Sequence, residues 1–209
     1  MNVGILLPFD EGYKFPVGVI NFLVCCVLIY RVVSITGVNT SYLTVKCFQY
    51  AGKWYEISKY PNEAERNGKC SEAEYTPEGD AVKVKNTNVV NGVQTTVTGT
   101  AKLHPDANNT AKLIVSLKIG DVARDANLTI LSTDYSSYAI AYNCRYNATS
   151  NTHQDFAWIL SRAKVLEGEA KTAVDNFVAN TKELDATKLV QTDFSDEACS
   201  FNTTASLSN

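Results

Sequence analysis

From residue 52 onward the chain reads as short runs in which apolar and polar side chains trade places, a period of two that belongs to half-buried strands. The first run, GKWYEISK, sets Trp54, Glu56 and Ser58 on one face and Tyr55, Ile57 and Lys59 on the other. Further runs follow at 70–76, 82–90, 93–101, 111–119, 126–133, 137–146 and 153–162. Turn chemistry separates several of them: PEGD at 77–80, Asn91-Gly92, and HPDANN at 104–109. Asn-Gly is the strongest short hairpin signal of the three. The runs make about eight strands in a meander, with no crossover long enough to bring two of them parallel. Near the end the period changes. In residues 167–180, Ala170, Val174, Phe177 and Val178 recur at helical spacing, and Glu167 and Glu169 stand where the helix dipole favours acids. TKLVQT at 187–192 adds a short last strand. The pattern predicts an all-β fold: an eight-stranded antiparallel up-and-down β-barrel, closed because closure removes exposed edges, with one C-terminal α-helix packed outside. A barrel of eight strands has room for one small ligand.

With 45% of 209 residues hydrophobic and 20% charged, the chain can bury a core. Its net charge of -3, without a cluster of Lys and Arg, excludes a nucleic-acid binder. Residues 17–30, VGVINFLVCCVLIY, carry no charge. They match a secretory apolar segment and fall short of the roughly 20 residues that span a bilayer. We therefore expect a signal peptide over 1–40, with an uncleaved anchor or a mis-called start as the alternatives, because Asp10 and Glu11 precede the single base Lys14. The expected mature protein is a domain at 41–199 followed by a flexible tail at 200–209, secreted and extracellular, with no stable membrane insertion. Cys25 and Cys26 leave with the leader. Cys47, Cys70, Cys144 and Cys199 remain, an even number without a CxxC pair, which reads as disulfide staples and not as a metal site. Sequons at Asn39, Asn108, Asn127, Asn147 and Asn202 are glycosylation candidates of the same compartment.

GKWYE at 52–56, STDY at 132–135 and WILSR at 158–162 resemble, in order and spacing, the three motifs of the lipocalins. KYPN, AEYTPEG, HQDF, DFSDEAC and the long stretch HQDFAWILSRAKVLEGEAKTAVDNF are similar to the insect bilin-binding protein and insecticyanin group, which is related to apolipoprotein D. The resemblance runs from about Cys47 to Cys199. It implies a floor in which Arg162 stacks on Trp54 from outside while Gly52 lets the chain enter close against its neighbours; such a stack is worth ~0.5–2 kcal/mol. Thr133, Asp134 and Tyr135 would build a turn at that closed end. It also implies the disulfides Cys47–Cys144 and Cys70–Cys199, and a calyx holding biliverdin.

Alternation points Asn86, Asn88, Val97, Leu117, Ile119, Leu128, Asn143, Arg145, Phe156 and Trp158 inward, with Cys144 outward. Of these, Asn86, Asn88, Val97, Leu117, Ile119, Asn143, Arg145 and Phe156, together with Gln154, match ligand-lining positions of the bilin-binding relatives. Amides and a guanidinium have no use in a solid barrel core, where each unpartnered polar group costs ~1–3 kcal/mol, and they suit a polar-lined cavity. The aromatic content here is lower than the relatives', which leaves a fatty acid, steroid or other lipid as the alternative guest. With every mature cysteine assigned to a staple, bilin binding would be non-covalent. His153 is either a rim contact or a solvated turn residue. No Ser/His/Asp set, HExxH or Gly-rich phosphate loop is present. The expectation is a non-enzymatic carrier of a hydrophobic small molecule, with homo-oligomerisation left open.

Overall fold

The structure is a computed structural model that describes residues 49–107, 110–119 and 122–206. The expected leader, Cys47 with its bridge to Cys144, Asn39 and Asn108 lie outside the described residues. Eight strands follow one another: β1 (Gly52–Lys59), β2 (Lys69–Glu78), β3 (Ala81–Val90), β4 (Val93–Leu103), β5 (Lys112–Ile119), β6 (Val122–Thr133), β7 (Tyr138–Asn147) and β8 (Thr152–Ser161). Each pairs antiparallel with the next, β1 also pairs with β8, and the barrel closes between them. Asn91 and Gly92, both at positive φ, make the β3–β4 hairpin in two residues. Gly99 stands where β4 and β5 come together. A Cβ there would lie 2.0 Å from the Ser116 carbonyl oxygen, so no larger residue fits this point of the wall.

One end of the barrel is filled. Trp54, Ala139, Ala141, Ile130 and Leu160 form a buried cluster with Tyr50, and Val84, Ala101 and Val115 form a second beside it. Outside, helix α1 (Gly168–Asn180) buries Val174 and Val178 against Ile140 and Ile159 of β7 and β8, as its apolar spacing predicts.

The chain after α1 wraps back over β1 to β4. Strand β9 (Val190–Gln191) pairs with β1, and the short helix α2 (Asp196–Cys199) brings Cys199 to Cys70, which are disulfide-bonded with Cα atoms 5.4 Å apart. Thr203–Ser206, within the stretch expected as a flexible tail, forms strand β10. It runs parallel to β4 along Val93–Thr96, the part of β4 that extends beyond its pairing with β5. An edge left without a ladder partner there is covered by the chain's own end.

Candidate functional site

The closed end is built around Trp54, which is fully buried and donates from Nε1 to the Tyr50 carbonyl at 2.8 Å. The Arg162 guanidinium lies 3.6 Å from the centre of the indole ring. Its Nε donates to the Tyr135 carbonyl at 3.1 Å, and its two terminal nitrogens donate to those of Lys53 at 2.7 Å and Gln49 at 2.8 Å. One cation thus ties three segments under the floor. Gly52 acts differently from the expectation. A Cβ there would meet nothing closer than Arg162 at 3.6 Å; the demand on this position is its φ of +89°, which side chains resist. Asp134 Oδ1 accepts from the amides of Ser136, Ser137 and Tyr138, while Thr133 Oγ1 accepts from the Tyr135 amide and donates to the Tyr138 carbonyl. Burial works against the Asp134 charge, but the Ser137 hydroxyl and these amides outweigh it and hold the carboxyl below its ordinary range.

Above the floor the inward side chains stop being buried. On β7 and β8 the inward pairs are Ala139 with Leu160, Ala141 with Trp158, Asn143 with Phe156 and Arg145 with Gln154. The first pair is buried. In the next, Ala141 is buried and Trp158 half-buried; Asn143 and Phe156 are both half-buried, and Arg145 and Gln154 are exposed. Across the barrel, Asn86 pairs with Val97 and Asn88 with Thr95, and these with Leu117 are half-buried too. Side chains that face into a closed wall and still meet solvent define a hollow open at one end. Phe156 and Trp158 stack nearly parallel, 6.0 Å between ring centres, and the Arg145 guanidinium lies 5.6 Å from the Phe156 ring. Asn88 accepts from the Thr95 hydroxyl. Asn86 Oδ1 is buried without a hydrogen-bond partner among the described residues. Ile119 ends β5, and its side chain lies outside the description.

The sequence pattern missed a charged group within this hollow. β1 has an irregularity between Glu56 and Ser58, so that Glu56 pairs with Leu160, Ser58 with Ile159 and Lys59 with Trp158. The extra residue at Ile57 shifts the phase of alternation: Ser58, which strict alternation puts on the face of Trp54, turns out, and Lys59, which it puts on the opposite face, turns in. Lys59 Nζ then lies 2.7 Å from Glu56 Oε1 and 3.2 Å from Glu65 Oε2. Glu65 belongs to a single turn, Glu63–Glu65, between β1 and β2, and also accepts from Trp158 Nε1 at 3.2 and 3.3 Å. Burial, reinforced by the Glu65 charge, pushes the Glu56 carboxyl up to about 7, against the pull of Lys59. Burial disfavours the Lys59 charge, but the two carboxylates outweigh it and raise this pKa. The signal available in the sequence was Glu56 itself, an acid on the same face as Trp54, which demanded a partner.

A cavity of about 900 Å³ opens at this end, bounded by Lys59, Glu65 and Gln154 and, farther out, by Asn91, Asp193 and Glu197. Val97, Leu117 and Phe156 do not line it; it adjoins the hollow rather than duplicating it. Cys144 faces outward and is exposed, on the outer wall with Tyr142 and Asp155. His153, beside the rim residue Gln154, also faces outward, with Nε2 3.6 Å from Asp155. Asn127, Asn147 and Asn202 are exposed. Among the described residues no group of three His, Cys, Asp or Glu could hold a metal ion, and no helix is long and apolar enough to cross a membrane.

A closed antiparallel barrel with a stacked Arg–Trp floor and an open, part-polar hollow is the architecture of a hydrophobic-ligand carrier. The model of the lipocalin and cytosolic fatty-acid binding protein family matches residues 51–196, and the chain belongs to this family. It is 47% identical over 153 residues to the bilin-binding protein of Pieris brassicae, covering 73% of this chain and 80% of that one. Insecticyanin-B of Manduca sexta is 45% identical over 163 residues, covering 76% and 78%. The solved structure of insecticyanin from Manduca sexta superposes with a TM-score of 0.73 at 40% identity, covering 78% of this chain and 88% of that one.

Proposed function

We propose that the protein is a secreted carrier that holds a linear tetrapyrrole of the biliverdin type, non-covalently, in the upper half of the barrel. The observation that carries the reading is the hollow itself, whose half-exposed inward wall combines the flat Phe156–Trp158 stack with amides and a guanidinium. A flat conjugated guest gains by lying along such rings, and its burial contributes ~25 cal/mol per Å² of apolar surface less the cost of immobilising it. Asn86 Oδ1, buried and unpartnered among the described residues, would accept a pyrrole or lactam N–H, and Asn88 and Asn143 add amides on either side. Arg145 at the rim would take a propionate. Val97 and Leu117 would supply the apolar wall, and Gln154 the edge beside Arg145. Bound bilin would supply the conjugated system that absorbs visible light; the chain supplies shape, donors and exclusion of water. Because Cys144 faces away from the hollow, it is out of reach of the guest. The relatives' names, bilin-binding protein and insecticyanin, support the same reading. A fatty acid or steroid is the second reading, favoured by the apolar pair Val97 and Leu117 opposite the ring stack.

The experiment is a titration of the secreted protein with biliverdin, read by visible absorption and induced circular dichroism, beside the Phe156→Ala and Asn86→Ala variants. Saturable induced dichroism in the wild type, weakened in both variants, is expected. A native protein that is colourless and induces none overturns the bilin reading.

A further inference from the structure

Among the described residues, Glu65 is a carboxylate that reaches into the barrel from the turn between β1 and β2 rather than from the wall. Two donors converge on it inside: Lys59 Nζ at 3.2 Å and Trp158 Nε1 at 3.2 and 3.3 Å. Its own turn helps to hold it, since Asn62 Oδ1 accepts from the Glu65 amide at 3.0 Å while Asn62 Nδ2 donates to Glu65 Oε2 at 2.9 Å. Lys59 and Glu56 belong to the buried wall of β1, and Trp158 to β8; neither donor can follow Glu65 if the turn moves.

A lysine and an indole N–H aimed at one carboxylate, beside a hollow lined for an apolar guest, form a receptor for a carboxylate attached to something greasy. We infer that Lys59 and Trp158 are an anion subsite for the acidic end of the cargo, and that Glu65 fills it as an internal stand-in which the cargo displaces. The empty protein keeps the buried Lys59 ammonium paired and the half-buried Trp158 N–H partnered, because a donor shut away from water without a counterpart is costly. A guest carboxylate exchanges one ion pair for another of the same kind, so the exchange is nearly balanced and the apolar burial of its tail tips it. A neutral guest of the same shape must either leave Glu65 in place and lie above it or strip the donors without replacing their partner. Displacing the Glu65 carboxylate also removes one tie on the turn that borders the mouth cavity through Asn62, Glu63 and Arg66. Glu56 holds Lys59 at 2.7 Å from the other side and keeps the ammonium in place during the exchange.

The inference rests on the hollow being the cargo site, and does not depend on the cargo being a bilin. It is tested with two matched pairs of probes, biliverdin against its dimethyl ester and palmitic acid against hexadecanol, titrated into wild type, Glu65→Gln and Glu65→Ala by the change in tryptophan fluorescence, with near-ultraviolet dichroism confirming the fold. With the internal competitor's charge removed, both acids bind more tightly, roughly tenfold, while ester and alcohol shift by less than about twofold. Lys59→Met abolishes the preference for the acid. Equal shifts for acid and neutral probe, or weaker acid binding in both Glu65 variants, overturn the inference even where the hollow binds its guests. No binding of any probe to any variant overturns it together with the cargo site. Tight biliverdin binding with unchanged Glu65 variants overturns this inference alone and leaves the bilin reading standing.

Discussion

Glu56 makes the stability of this barrel fall as the solution becomes less acidic across the neutral range. Its side chain is buried, and its carboxyl titrates near 7 in place of the ordinary 4.5 because burial disfavours the charge and Glu65 repels it. Between those two values the folded protein keeps a proton that the unfolded chain has released. Stability from this group is therefore fully present below about 4.5, declines as pH rises, and levels off above about 7. The rise from 4.5 to about 7, at about 1.4 kcal/mol per pH unit, gives a ceiling of about 3–4 kcal/mol. Lys59 does not mask the slope, since its raised pKa keeps it protonated throughout the window, and Asp134, held low, titrates beneath it. Glu56→Gln keeps the shape and removes the proton. Urea unfolding of both proteins at pH 5, 6, 7 and 8, with the Cys70–Cys199 bridge intact, should show the wild type losing about 2–3 kcal/mol relative to the variant from pH 5 to pH 8. A difference that stays flat, or a wild type that gains on the variant as pH rises, would mean that the Lys59 ion pair holds Glu56 ionised throughout, and the argument from burial would be wrong.

Two further outcomes follow from the closed end and the staple. Arg162→Ala removes the stack on Trp54 and three hydrogen bonds to backbone carbonyls, and should cost about 3 kcal/mol in urea unfolding; Arg162→Lys, which cannot reach three carbonyls with a planar fork, should recover less than half of that. Replacing Cys70 and Cys199 by serine opens a loop of 129 residues and should lower stability by about 4–5 kcal/mol, measured beside the oxidised protein; no change on reduction would show that β9, α2 and β10 hold the C-terminal segment without the bridge.

The strands were legible because a wall with a wet side and a dry side writes its period directly into the chain. Asn127 faces out and Leu128 in, as alternation requires, and the Asn91-Gly92 hairpin sets the β3–β4 register that brings Asn86 to Val97. The helix was legible for the same reason at another period. Alternation failed at Lys59, where one inserted residue reversed the phase, and nothing in ISK announces an insertion. Glu65 was out of reach in another way, since its partner Trp158 lies 93 residues away and the contact depends on how the β1–β2 turn folds back into the barrel. β10 was hidden because TTAS has neither strong apolar alternation nor turn punctuation; it is a strand only because β4 offers an edge. The pairing of Arg162 with Trp54 came from the family motifs alone; alternation and spacing by themselves would not have brought these two residues together.

The irregularity in β1 and the charged group it creates are a single feature. Were β1 regular, Ser58 would face the hollow and Lys59 the outside, and Glu56 would sit buried beside Leu160 with no cation in reach, a placement that costs several kcal/mol or forces permanent protonation. The extra residue turns Lys59 inward to Glu56 and leaves the Ile57 carbonyl free to accept from the Thr192 amide at 2.9 Å, which docks the returning C-terminal segment just ahead of α2 and the disulfide. Ser58 pairs with Gln191 across the same junction. One inserted residue therefore sets the donor at the bottom of the mouth and the anchor of the strap that closes the barrel's outer side. Any change that straightens β1 must disturb both, because the charge inside and the hydrogen bond outside are fixed by the same turn of the backbone.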